Sequence, residues 1–459
     1  MRNQKVIFLL LLFTLLLTGC AQQSTSGIHS EKSHDLNEFH IESAVRPSSK
    51  HMEDNVSVTE PNGILTLGQV LTLTLLHNPE LKVFSLETRA AEARELQAGL
   101  WPNPELEIEA ENVGGTGELS GFDSAETTIQ LSQLIELGGK SQKRRKVASF
   151  EKELAGLDYQ NKRLEIFSDA AKAFISILKA QGNLELSNEL LKLSRESFET
   201  VAKRVDAGKD SPIEKTRASV ALSKMEVQNL KAQRNLEYSR KRLATFWGQD
   251  KPQFEQAAGN LEDIKPLPTL EGLSNQLKLN PEYTRWEAEI KKNQAVLNLE
   301  GAKTIGDITI GAGVQRFNET DDNAFVFGVS IPLPISDNNQ GAKQEAILNL
   351  AKSREAQRVA WFKLQNEFNQ TYQEFANSYS QATSLKSDVL PSAVEMFNAA
   401  TRAYQEGKVD YLNVMDAQRT LFDVKNEYIE SLAACHMART DIERFIGSQI
   451  QTVNISESE

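Results

Sequence analysis

At 459 residues the chain has room for two or three domains, but only 7% of it is aromatic and 25% is charged, so much of its surface must be wet. A net charge of −12 has the wrong sign for a nucleic-acid partner. Two cysteines cannot supply a disulfide framework, which leaves packing or assembly to hold the chain.

Residues 1–19 read as an export signal. Arg2 and Lys5 precede an apolar run over 6–17 that only Thr14 interrupts, too short to remain as a membrane-spanning helix. Leu17-Thr18-Gly19-Cys20 then resembles a lipobox, in which Cys20 becomes the lipidated first residue. Ala21 follows it, and in lipoproteins of this type the absence of Asp there favours the outer membrane. Residues 20–63 are polar and aperiodic and read as a flexible tether. His29, His34, His40 and His51 lie within it, too scattered for a preorganised metal site.

Residues 64–248 form a first unit. Thr66 and Gln69 fit a capping box. Asn78-Pro79-Glu80 opens a further helix, with Asn as cap, Pro in the first turn and an acid at the positive helix end. Strands are expected at about 104–112 and 126–137, followed by a helical hairpin over 141–247. The run 141–207 contains no proline, and Phe150, Leu157, Leu164, Ala171 and Leu178 recur in it every seven residues. As a helix it would reach roughly 100 Å, longer than any compact core requires. Residues 249–272, with Pro252, Pro266 and Pro268, form a joint.

Residues 273–448 repeat the unit. Asn280-Pro281-Glu282 lies 202 positions after its first copy, and Phe397, Gly407, Lys408, Ala417, Phe445 and Gly447 lie 199 after Phe198, Gly208, Lys209, Ala218, Phe246 and Gly248. Agreement at a constant offset marks a tandem duplication. The second unit is expected to carry strands at about 304–317 and 324–332 and a hairpin over 342–446. The run 344–406 reads as its long helix, with Pro391 inside it, and the hairpins turn at Gly208 and Gly407. Residues 449–459 read as a disordered tail.

The strand stretches alternate with period two. Leu106, Ile108 and Ala110 oppose Glu105, Glu107, Glu109 and Glu111, while Phe325, Phe327, Val329 and Ile331 oppose Gly328 and Ser330. Such strands suit an outer-membrane barrel; a soluble sheet with one wet face has the same period. Four strands cannot close in lipid, because open edges leave backbone groups unpaired, so several copies must share a barrel.

The paired Asn-Pro-Glu starts, the strand pairs, the lipobox and the hairpins at Gly208 and Gly407 together resemble the TolC-like outer-membrane efflux factors over residues 64–448. Leu100-Trp101-Pro102-Asn103-Pro104-Glu105-Leu106 and Ile135-Glu136-Leu137-Gly138-Gly139-Lys140 look most like the CzcC-like heavy-metal branch. The fold this implies is mainly α with transmembrane β: duplicated antiparallel helical hairpins forming an α-barrel, and four strands contributing to a twelve-stranded barrel shared by a homotrimer. It implies hairpin tips that meet a periplasmic adaptor, the turns Gly208, Lys209, Gly407 and Lys408 among them, and an inner-membrane proton-driven pump of the RND type as a further partner.

The resemblance places Asp416 where relatives have a pore-constricting acid. Asn413 stands where some carry a second, and Glu214 and Arg217 take the equivalent places in the first unit. Asp410, Asn413 and Asp416 would share one helix face at the entrance; a solvated charged face gives the same pattern. If Glu105, Glu107, Glu109 and Glu111 face a lumen, they form an acidic exit that attracts cations; a polar strand face chosen for solubility is the other reading. Cys435-His436-Met437 cannot bind one ion, because consecutive helical residues point about 100° apart, and Cys435 continues the apolar stripe of Leu421, Tyr428 and Leu432. The run Lys143-Arg144-Arg145-Lys146 would sit at the inner headgroups or form a solvated helix start.

No phosphate loop, Cys-x-x-Cys or Ser-His-Asp set is present, and neither an enzyme nor a cofactor is expected. The chain reads as the lipid-anchored outer-membrane channel of a tripartite efflux system, exporting heavy-metal cations of the cobalt, zinc, cadmium or copper type. Export of organic toxicants through the same architecture, and a non-conducting periplasmic scaffold, are the alternatives.

Overall fold

The computed structural model describes residues 60–448. The signal segment, Cys20, residues 21–59 with their four histidines, and the tail 449–459 lie outside the described residues.

The first unit runs β1 (Ile64–Leu65), α1 (Leu67–His77), α2 (Pro79–Ala98), β2 (Glu105–Glu111), β3 (Glu126–Ile135), α3 (Lys140–Asp206) and α4 (Pro212–Ala244). The second runs β4 (Gln256–Ala257), α5 (Leu270–Ser274), α6 (Pro281–Lys303), β5 (Ile308–Phe317), β6 (Asp322–Ser330), α7 (Gln340–Ser384), α8 (Leu390–Gln405) and α9 (Tyr411–Ile446). Helix α3 is 67 residues long and unbroken, which the good helix formers of its sequence and the absence of proline allow.

The two units start their helices alike. Asn78 Oδ1 accepts from the Leu81 N–H at 3.0 Å and Asn280 Oδ1 from the Glu282 N–H at 2.7 Å. Each Asn then does a second thing that cap spacing does not announce. Its amide donates across to the end of the hairpin, Asn78 to the Phe246 carbonyl at 2.8 Å and Asn280 to that of Phe445 at 2.7 Å. One buried side chain thus satisfies a helix start and pins the returning helix to it.

Strands β2-β3-β5-β6 form one antiparallel sheet in that order, with β2 and β6 as open edges. Each strand is joined directly to a helix, and the helices pack in the matching order α2-α3-α6-α7. Sheet and upper helices are therefore one continuous wall. Lower down, α3 packs between α4 and α9, and α9 between α3 and the α7–α8 arm. Between the two levels lie two core clusters. One gathers Leu65, Leu73, Phe174, Ile177, Leu243, Trp247 and Phe254; the other gathers Leu277, Phe368, Phe375, Cys435, Ile442 and Phe445.

Three expectations change. The tether does not run to residue 63: the Glu60 carboxylate is buried and accepts from the Gln253 N–H at 2.6 Å, the Phe254 N–H at 3.1 Å and Trp247 Nε1 at 3.1 Å. The joint 249–272 is partly structured, because β4 pairs parallel with β1. Finally, the run 344–406 is not one helix. A π-helical turn, Leu385–Val389, separates α7 from α8. Pro391 follows it, and its ring and missing N–H cannot continue an α ladder. The aligned residue in α3 is Lys192, so that rod stays whole.

Candidate functional site

The register of the sheet decides its two faces, since directly paired residues share a side. Leu106 pairs with Leu131, Ile108 with Ile129, Ile129 with Val314, Val314 with Phe325, Ala312 with Phe327 and Ile310 with Val329. One face is thereby apolar across all four strands, and it is open, with Phe327 75% and Leu106 67% exposed. A wet apolar face of this breadth needs lipid or protein against it.

The opposite face is polar and smooth. Glu105, Glu107, Glu109 and Glu111 stand along β2 beside Ser132, Gln130, Thr128 and Glu126. All four glutamates are exposed. Across the same face run Gly311, Gly313 and Gly328. A Cβ at Gly311 would collide with the side-chain amide of Gln130, and one at Gly313 with the Ile129 carbonyl and with Cα and Cβ of Gln130. Glu126 is held by Gln315 Nε2 at 2.6 Å and Asn112 Nδ2 at 3.2 Å, both neutral donors, so its charge is not cancelled there.

Where sheet meets helices, the joint is braced by ion pairs. Lys140 Nζ lies 2.7 Å from Asp307 Oδ1 and also donates to the Ile305 carbonyl at 2.6 Å, while Asp307 accepts the Leu137 N–H at 2.9 Å. In the basic run, Arg144 pairs with Glu136 and Arg145 lies 3.6 Å from Glu95.

At the far end the hairpins turn alike. Gly208 (φ +71°) and Gly407 (φ +76°) occupy the left-handed region. The next N–H bonds five residues back in both, Lys209 to Arg204 O and Lys408 to Ala403 O, each at 2.8 Å. Both lysines are exposed. The tips are clasped across the duplication. Arg204 meets both carboxylate oxygens of Asp210 at 2.9 and 3.0 Å and donates to the Gln405 carbonyl at 3.2 Å; the Tyr404 hydroxyl donates to Asp210 Oδ2 at 2.5 Å. The guanidinium also sits 4.6 Å from the centre of the Tyr404 ring. Arg204 holds the Asp210 carboxyl below its usual range, with the Tyr404 hydroxyl adding to the effect. This clasp had no signal in the sequence, since its partners come from two hairpins about 200 positions apart.

Asp416 and Asn413 are exposed on α9, and Asp410 is exposed at its N-cap rather than on a helical turn. Glu214 differs from them. Its side chain is 16% exposed, it pairs with Arg217 at 2.9 Å, and together with burial, the larger cause, it pushes the Tyr411 hydroxyl up to about 12. The sequence thus brings Asp410, Asn413 and Asp416 to one open patch and leaves Glu214 facing inward. Cys435 is buried in the second core cluster, with burial raising its thiol to about 11. His436 Nε2 lies 2.9 Å from the Leu261 carbonyl. Among the described residues no three acidic, His or Cys side chains are grouped to hold a metal ion, and no helix is long and apolar enough to cross a membrane.

The chain is 33% identical over 388 residues to the cobalt-zinc-cadmium resistance protein CzcC of Cupriavidus metallidurans, spanning 84% of this chain and 91% of that protein. It is 22% identical to the cation efflux system protein CusC of Escherichia coli over 58% of this chain and 60% of CusC. Among solved structures, the outer membrane protein VceC of Vibrio cholerae superimposes with a TM-score of 0.70 at 17% identity, covering 84% of this chain and 97% of VceC. The Neisseria gonorrhoeae MtrE outer membrane channel in its open state gives 0.71 at 18% identity, covering 84% and 90%. The family model described as outer membrane efflux protein matches residues 70–249 and 272–448, one match per unit. On these grounds the chain belongs to the outer membrane efflux protein family.

Proposed function

We propose that this protein is the outer-membrane channel of a tripartite heavy-metal efflux system, carrying divalent cations of the cobalt, zinc or cadmium type. The observation that carries this reading is the two-faced sheet: a broad open apolar side against lipid, and a polar side bearing Glu105, Glu107, Glu109 and Glu111. Three copies pool twelve strands into one barrel, and their helical walls continue it as a tunnel into the periplasm. Uncancelled glutamates along the exit attract cations and repel anions. At the entrance, Asp416 and Asp410 repeat threefold as an acidic ring, while Glu214, neutralised by Arg217, contributes little to it. The likeness to CzcC and CusC supports metal cargo.

The turns Gly208-Lys209 and Gly407-Lys408 meet a periplasmic adaptor, which couples the tunnel to a proton-driven inner-membrane pump. Cys20 carries the lipid that anchors the mature chain. Deleting the gene and scoring tolerance to zinc, cobalt, cadmium and copper tests the cargo: sensitivity to one or more of these metals, rescued by the wild-type gene, is expected. Unchanged tolerance to all four with lost tolerance to organic toxicants overturns the metal assignment. A purified protein that never conducts in a planar bilayer overturns the channel itself.

A further inference from the structure

Five basic residues crowd the start of α3: Lys140, Lys143, Arg144, Arg145 and Lys146. Three of them have carboxylate partners, in Asp307, Glu136 and Glu95. Lys143 and Lys146 have none among the described residues, and both line a cleft of about 480 Å³ between α3, α6 and α7. Lys143 Nζ donates only to the Gly138 carbonyl at 2.5 Å, and Lys146 Nζ lies 4.4 Å from the centre of the Phe150 ring. From the other side Lys343, exposed on the first turn of α7 and likewise without a carboxylate, lines the same cleft. Ala295, Leu297 and Ile347 supply its apolar walls.

Three amines over an apolar cleft describe the recognition of an amphiphilic anion. The position names the source. α3 begins five residues after β3 ends, and Lys143 and Lys146 lie about 5 and 9 Å along it. On the reading of the sheet as barrel wall, that is the headgroup level of the periplasmic leaflet. Lysine stems can follow the apolar wall while their amines reach a phosphate. We propose that this cleft holds the phosphate of a negatively charged phospholipid, its acyl chains lying along the apolar sheet face, one site per protomer and complete without a neighbouring copy.

The test is native mass spectrometry of the mature full-length protein in detergent, titrated separately with phosphatidylglycerol, phosphatidylcholine and inorganic phosphate. The variant is Lys146→Gln with Lys343→Gln; Lys143 is retained because it also bonds the turn at Gly138. Wild type is expected to retain phosphatidylglycerol in preference to phosphatidylcholine, and the variant to bind it about thirtyfold more weakly, two lysine–phosphate attractions being lost. Equal retention by variant and wild type overturns the proposal, as does equal retention of the two lipids. Displacement of the lipid by millimolar inorganic phosphate overturns the lipid assignment in favour of a soluble anion. Planar-bilayer conductance is read on the same samples. A wild type that conducts but shows no lipid preference overturns the cleft alone, and one that retains phosphatidylglycerol but never conducts overturns the channel reading alone.

Discussion

Asp210 takes Arg204 from its own hairpin and the Tyr404 hydroxyl from the other, so it is the residue on which the tip clasp depends. Asp210→Asn removes the charge while keeping the shape, and is expected to cost about 1.5–3 kcal/mol of local stability, the range for hydrogen bonds to a charged group. Hydrogen exchange at residues 200–212 and 402–412 reads it as faster opening. The sign of the pH effect follows from the depressed pKa. A carboxyl held below its ordinary 3.8 by a cation stabilises the folded tips fully above that value, and the gain is lost as pH falls through the lower, folded value. Wild-type tips should therefore loosen only under acid, and the Asn variant should be loose at every pH. Asp416 makes a different prediction, because it is exposed and among the described residues it pairs with no cation. Asp416→Asn should leave stability unchanged and reduce the cation-over-anion permeability ratio severalfold, read from reversal potentials in a salt gradient. An unchanged ratio would remove Asp416 from the entrance.

The elements show where sequence reading reaches and where it stops. Both Asn-Pro-Glu starts, the alternating strands and the glycine turns were legible because each is a local rule: a cap, a period, a left-handed residue. The second role of Asn78 and Asn280 was not, since a side-chain amide reaching a carbonyl about 165 residues away leaves no local trace. The pairing of β1 with β4 leaves no signal in the sequence, because two-residue strands have no readable period. Pro391 was visible, but that the chain would absorb it with a π turn and continue depends on packing around Leu385, not on the proline alone. At the site, the acidic row on β2 was legible from alternation, whereas the inward turn of Glu214 was set by Arg217 and Tyr411, contacts that only the folded tips create. The duplicated Asn device yields a paired prediction. Asn78→Ala and Asn280→Ala should each lower stability by about 2 kcal/mol, the upper end of the cost of a lost cap, because each also loses its hairpin tie. The two sites share no partner, so their costs should add in the double variant. Thermal denaturation in detergent measures both, and markedly unequal costs would show that the two units do not use the device alike.

At the scale of the molecule the open surfaces are not scattered. The sheet ends in two unpaired edges, β2 and β6. Helix α4 packs mainly on α3, and its other side carries Ile213, Val220 and Val227, all exposed and spaced by seven. At the opposite margin of the helical layer, the π turn exposes Val389 and α8 exposes Met396, again seven residues apart. One margin therefore has a coiled-coil seam without a partner, and the other has apolar residues to meet it. A contact between two different margins is heterologous, and a heterologous contact that closes makes a ring. Strand edges and helix margins lie on the same sides of one continuous wall, so the ring that satisfies the strands also buries the seam. Val220→Asp with Val227→Asp places two charges in that seam and forfeits the burial of two valines, about 3 kcal/mol or more per interface. The variant should fold its own hairpins, since neither residue lies in a core of the single chain, yet fail to assemble. Light scattering in detergent should report a monomer in place of a trimer, with helix content by circular dichroism unchanged. A variant that remains trimeric would show that α4 does not form the seam, and would leave the strand edges alone to close the ring.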